Sequence, residues 1–214
     1  MKLNDEVIKL SCTEGAYSYA VIGKDGVTLI DTGNPGKGGA ILSELDANNI
    51  KPNDVKRILL THHDVDHIGN LAFLQEKTNC EIFIHPDDYP YVMEGKKREG
   101  LKRIVASLVK VRRPREVKQI EGNSIDDFTF IPSPGHTKGH TVYRFSNVLF
   151  LGDLVRSKNG RAIILPSIVT WDKKVLQNSI KMLPVDDVEW LCPAHGEPFK
   201  AAVWSDMLDL ILPD

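Results

Sequence analysis

A chain of 214 residues is long enough for one large domain with a sizeable core. Its 42% apolar and 26% charged residues are typical of a soluble globular protein, which argues against disorder over the whole length. The net charge of −2 provides no overall field that would call for nucleic acid or an anionic membrane as a partner.

The N-terminus, MKLNDEVIKLSC, has neither the apolar core nor the small-residue cleavage site of a signal peptide. No stretch approaches the roughly 18 apolar residues that span a bilayer. The three cysteines, Cys12, Cys80 and Cys192, are odd in number and far apart, so no disulfide framework is expected. A reducing cytoplasm is the expected location.

In chain order, Glu6 to Leu10, Ala16 to Ile22 and Val27 to Ile30 are β-rich runs, with Asp25-Gly26 as a hairpin turn signal. The glycine-rich DTGNPGKGG follows, then a helical segment from Ala40 to Asn49. Val55 to Leu60 predicts a buried strand, THHDVDHIGN a loop, and Leu71 to Lys77 a helix. Strands are expected again at Cys80 to Ile84, Phe128 to Ile131, Thr141 to Phe145 and Val148 to Leu151. The C-terminal part predicts a helix over Lys173 to Leu183, a strand over Val188 to Cys192 and a closing helix over Ala201 to Leu212. This alternation predicts a layered α/β architecture.

Lys96 to Lys118 stands apart, with ten Lys or Arg against two Glu. Leu101, Ile104, Val105, Leu108 and Val109 fall at helical spacing and predict one buried stripe. The remaining face is expected to be solvated; a basic cover near a pocket for an anionic substrate is the other reading.

The chemistry lies in the histidines, at positions 62, 63, 67, 85, 136, 140 and 195. Most follow a predicted strand and stand beside Gly, Pro or Asp, where a rigid sheet can present ligands from its loops. In HHDVDH, a strand period of two sets His62 and Asp64 on one side and His63 on the other. Asp66 and His67 are adjacent and can face one centre only if the chain turns, and the following IGN and helix supply a turn. PGHTKGH at 134–140, LGD at 151–153 and CPAHG at 192–196 are each weak signals alone.

Together and in this order they resemble the metallo-β-lactamase superfamily over about residues 16–200. The resemblance rests on Asp31 in LIDTG, HHDVDH at 62–67, His136 in PGHTKGH, Asp153 in FLGD and His195 in PAHG. It implies a single-domain, four-layer αββα sandwich, here carrying a basic helical insertion at about 86–122. It also implies two divalent metal ions sharing one hydroxide. His62, Asp64 and His136 would hold the first ion, Asp66, His67 and His195 the second, and Asp153 both. Asp31 and His140 would orient ligands from behind. Asp66 is the expected catalytic residue, orienting the hydroxide and passing a proton.

One position departs from the family's HxHxDH: Asp64 stands where a second histidine is usual. A carboxylate still binds metal, but it adds negative charge and makes the centre harder. The flavodiiron branch has Glu there and uses iron. Zinc is expected, with manganese or iron as alternatives. The implied activity is hydrolysis of a small ester, thioester or lactone, with an anionic molecule among the candidate substrates and a homodimer among the candidate assemblies. Two other readings stay open: a mononuclear-iron oxidoreductase resembling persulfide dioxygenases, using His62, His136 and Asp153, and a binding module on a decayed site.

The other conspicuous residues read as structural. Cys192 is expected at a strand end in the core and His85 as a satisfied histidine. PGKGG lacks the spacing of a phosphate loop and is expected to be a turn. Trp171, Trp190 and Trp204 are expected to be packing residues. Val203, Trp204, Met207, Leu208, Ile211 and Leu212 predict one apolar helix face, for the core or a dimer contact.

Overall fold

The computed structural model describes residues 1–98 and 100–211. They form two compact units, Met1–Ile120 and the chain from Glu121 onward.

The first unit is a six-stranded sheet in sequential order: β1 (Val7–Lys9), β2 (Tyr19–Gly23), β3 (Gly26–Ile30), β4 (Val55–Leu59), β5 (Glu81–Ile84) and β6 (Lys118–Gln119). β1 to β3 pair antiparallel, and β3 to β6 run parallel. The β2–β3 register pairs Gly23 with Gly26, so the turn residues are Lys24 and Asp25. Gly26 has φ +129°, a conformation that an L side chain rarely adopts. The helices are α1 (Gly38–Ala47), α2 (Leu71–Thr78), α3 (Tyr89–Met93) and α4 (Gly100–Leu108). Ile41 and Leu45 of α1, and Leu71 and Leu74 of α2, join Leu29, Ile58 and Ile82 of the strands in one core.

α4 overturns an expectation. Leu101, Ile104 and Leu108 of its apolar stripe are 38, 57 and 80% exposed. The side chain of Val105 lies outside the described residues, as does Glu99. The helix instead turns Lys102 inward, where an ion pair with Asp64 holds it. Lys102 thus faces Asp64 while three apolar residues of the stripe face solvent. A cavity of about 200 Å³ remains, lined by Val65, Ile68, Val92, Arg98, Ala106 and Val109 among others.

The second unit has β7 (Ser124–Ile125), β8 (Phe128–Pro132), β9 (Thr141–Phe145), β10 (Val148–Gly152), β11 (Arg156–Lys158), β12 (Arg161–Ile163), β13 (Trp190–Pro193) and β14 (Phe199–Lys200), with α5 (Lys173–Lys181) and α6 (Trp204–Ile211). Its six-stranded sheet has the order β14-β13-β10-β9-β8-β7, and β11 and β12 form a separate hairpin. Only the β10–β13 pairing is parallel among the pairs of this sheet. Asp172 caps α5 by accepting the backbone N–H groups of Lys174 and Val175. Leu176 and Ile180 of α5 pack with Leu149, Leu151 and Leu191 of the sheet, and Trp204 and Met207 of α6 join this second core. Val203 is 39% exposed, so the expected apolar face is only partly buried. Leu212 and the side chain of Ile211 lie outside the described residues.

Two mixed sheets flanked by helices match the αββα sandwich expected from the sequence. Among the described residues no helix is long and apolar enough to cross a membrane.

Candidate metal centre

In the first unit the donors follow the C-terminal ends of two neighbouring parallel strands, where loops leave a sheet free to build a site. Asp31 is the residue after β3, with φ +57°. Its Oδ1 accepts the Thr61 backbone N–H at 2.8 Å, and its Oδ2 accepts the Thr61 hydroxyl at 2.7 Å. The same Oδ2 lies 2.8 Å from Nδ1 of His67. With Nδ1 engaged, His67 presents Nε2, which stands 4.0 Å from Oδ2 of Asp66.

Thr61 also fixes His62. Its hydroxyl has one proton, given to Asp31, so at 3.1 Å it accepts from Nδ1–H of His62. Nε2 of His62 then keeps its lone pair and lies 3.4 Å from Oδ2 of Asp64. The turn that brings Asp66 and His67 round comes from within the motif: His67 N and Ile68 N both donate to the Asp64 carbonyl. Asn70 then ties the loop after β3, accepting Gly38 N–H and donating to the carbonyls of Thr32 and Asn34. His63 faces elsewhere, as its parity predicts: Nδ1 is 2.9 Å from buried Asp88, and its ring stacks on Tyr91.

Asp64 has basic company. Lys102 Nζ lies 2.7 Å from its Oδ2 and Arg98 Nε 3.9 Å from its Oδ1. Arg98 also donates to the His63 carbonyl. Burial pushes the Arg98 guanidinium below its ordinary value, against the upward pull of Asp64 and Asp88. The basic segment is therefore divided. Arg112 and Lys118 pair with Glu76 and Glu81 at the surface, whereas Arg98 and Lys102 serve the site.

In the second unit the loop after β8 is pinned at both ends. Ser133 N donates to the His140 carbonyl, and the carbonyls of Gly135 and His136 accept Asp172 N–H and Trp171 N–H. Asp153 follows β10, and its backbone N–H donates to Nε2 of His140 at 3.1 Å. Oδ2 of Asp153 stands 3.4 Å from Nε2 of His136, and Oδ1 stands 3.2 Å from Nε2 of His195. His195 follows β13, and its carbonyl accepts Ser157 N–H from β11.

These spacings test whether the residues fit a metal. Two ligands bound at ~2.1 Å to one tetrahedral ion are ~3.4 Å apart. Three of the four imidazole–carboxylate distances, His62–Asp64, His136–Asp153 and His195–Asp153, lie between 3.2 and 3.4 Å. Each of the seven expected ligands can offer one donor atom, and imidazole nitrogen with carboxylate oxygen suits zinc, manganese or iron. Within each unit, the donors fit.

A family model described as the metallo-beta-lactamase superfamily matches residues 13–195. The chain belongs to the metallo-β-lactamase superfamily. A probable metallo-hydrolase of Methanocaldococcus jannaschii is 30% identical over 192 residues, covering 84% of this chain and 87% of the relative. A hydroxyacylglutathione hydrolase of Pectobacterium atrosepticum is 30% identical over 166 residues, covering 76% of this chain but 55% of that enzyme. Among solved structures, TTHA1623 in a di-iron-bound form superposes with a TM-score of 0.71 at 23% identity, covering 95% of this chain and 98% of that one. Family and donor sets together support a metal-dependent hydrolase of the metallo-β-lactamase superfamily.

Within that superfamily frame, sequence reasoning missed Thr61, Asp88, Arg98 and Lys102 around the donors. The threonine was visible beside His62, but nothing in the spacing said that its hydroxyl joins Asp31 to two histidines. Trp171 is a correction: expected to pack, it is 49% exposed, with Lys138 Nζ 5.2 Å from its ring centroid. It sits just before Asp172, the α5 cap. Trp204 is buried as expected, and Trp190 is half-buried under Lys200. His85 Nδ1 accepts Asp87 N–H, and the PGKGG glycines run from a turn into α1. Cys192 is fully buried in β13, which pushes its thiol well above the ordinary value and leaves it inert.

Proposed function

We propose that the chain is a hydrolase of small esters, thioesters or lactones, with His62, Asp64 and His136 holding one divalent ion, Asp66, His67 and His195 a second, and Asp153 both. The observation that carries this is the spacing of imidazole Nε2 atoms from carboxylates in each unit, close to that of ligands sharing an ion. Bound divalent ions would supply an acidified water and draw charge from the carbonyl or phosphoryl oxygen of a substrate.

The chain's own residues do the rest. Asp31 and Thr61 hold His62 and His67 in single tautomers. His140 fixes the backbone of Asp153. Asp66 is more exposed than the ligands beside it, so its carboxylate reaches solvent and moves the proton to the leaving group. The preferred metal is zinc, and the carboxylate of Asp64 brings manganese and iron within range. In this reading residues 1–214 act as one metallo-β-lactamase-like domain with its basic helical insertion at about 86–122. The hydroxyacylglutathione hydrolase relative supports a thioester among the substrates.

The test is elemental analysis of the purified protein followed by a screen of esters, thioesters and lactones with the native metal. About two ions per chain and turnover that a chelator abolishes are expected. One iron per chain with O₂ uptake would replace this reading by an oxidoreductase, and no metal after soaking would end it.

A further inference from the structure

We propose that Lys102 is a positioning residue for Asp64, cancelling the carboxylate's charge and setting how tightly the position shared by His62 and Asp64 takes a divalent ion. The inference rests on the metal-holding role proposed above for those two residues. A neutral imidazole at position 64 would bring no charge, whereas Asp64 brings one negative charge. Lys102 returns one positive charge at 2.7 Å, so the pair together restores the neutrality of the residue it replaces. The side chains of both are only 16 and 14% exposed, which limits screening by water.

The geometry goes further than compensation. Oδ2 of Asp64 is at once the atom bound by Lys102 and the atom 3.4 Å from Nε2 of His62. An ion on that oxygen shares it with an ammonium, and the two cations repel. The other oxygen, Oδ1, has Arg98 Nε at 3.9 Å and His63 Nε2 at 3.8 Å. The cost to an ion at this position is built into α4, which turns Lys102 in while Ile104 and Leu108 are left in water.

The experiment is metal titration of the apo-protein with zinc and with manganese, followed by calorimetry and by competition with a chromogenic chelator. It compares wild type, Lys102→Met and Lys102→Arg. Wild type is expected to take two ions. Lys102→Met should strengthen one of the two at least tenfold, and Lys102→Arg should keep both wild-type affinities. Circular dichroism establishes that each variant is folded, and Lys102→Gln replaces the methionine variant if that one is not. Two ions in wild type with the same two affinities in Lys102→Met overturn the role of Lys102 and leave the hydrolase reading standing. No ion in any of the proteins overturns both.

Discussion

Oδ2 of Asp31 lies 2.8 Å from Nδ1 of His67, joining the end of one β-strand to the last histidine of a motif that begins after the next strand. This bond fixes which imidazole nitrogen faces outward, and a ligand held in the wrong tautomer is no ligand. Asp31→Asn keeps a residue type that tolerates the left-handed backbone, so the fold should survive. Metal affinity is expected to fall ~10–100-fold, as for other losses behind a ligating histidine. Chelator competition measures it, and an unchanged affinity would remove Asp31 from the site.

Asp66→Asn separates proton transfer from substrate binding. The amide cannot carry the proton, so kcat is expected to drop by ~10²–10⁴ with a much smaller change in KM. Metal content is read on the same sample. An unchanged rate at full metal content would assign the proton to another group.

Asp64→His returns the family's usual residue and removes a negative charge. Zinc affinity at that position is expected to rise and the preference for manganese to fall, because imidazole is the softer donor. Equal zinc affinity in both proteins would show that Asp64 is not a ligand.

Stability should fall at both ends of the pH range through one pair near the N-terminus. Burial, and then Glu44, push the Cys12 thiol from 9.0 up to about 12. Its contribution is thus intact below about pH 9 and is lost as pH climbs towards about 12. Burial raises the Glu44 carboxyl, but the backbone N–H groups of Cys12 and Ser11 outweigh it and leave the group below its ordinary 4.5. That contribution is intact above about pH 4.5 and disappears as pH falls further. Melting curves across pH should show a shallower alkaline edge in Cys12→Ala and a shallower acid edge in Glu44→Gln.

Gly135 precedes His136 at φ +138°, and a Cβ there would lie 2.3 Å from the Cα of Leu176. Gly135→Ala must push the His136 loop away from α5. A cost of ~1–3 kcal/mol is expected, which lowers Tm by about 2–4 °C for each kcal/mol in a chain of this size. Calorimetry with and without metal measures it, and a smaller gain in Tm on metal addition than wild type shows would locate the damage at His136.

The sequence exposed the candidate donors because metal chemistry needs particular residue types at strand ends, and each such end carries Gly, Pro or Asp beside the donor. The long strands were legible for the same reason: Val148 to Leu151 is buried throughout and cannot be anything but apolar. The strands β6, β7, β11, β12 and β14 have two or three residues each, too few to show any period. α4 misled because its apolar stripe obeys helical spacing perfectly while facing solvent. Spacing reports which residues share a face, not which face turns inward, and here Lys102 is the side chain held towards Asp64. Arg98 and Lys102 were hidden in a run of charges for which solvent is the ordinary explanation.

The β11–β12 hairpin has a consequence for how His195 is held. His195 hangs from it by the Ser157 N–H, Ser157 also donates to the Glu197 carbonyl, and a Cβ on Gly196 would meet the Ser157 carbonyl oxygen at 1.9 Å. Among the described residues the two strands of that hairpin form a sheet of their own, over three residues each. Small hydrogen-bonded units of this kind open locally at far lower free energy than a sheet does. His67 is anchored differently, through Asp31 and Thr61 at the ends of central strands. Opening of the hairpin is thus expected to loosen the chain at His195, and amide exchange at Ser157 reports how often that happens.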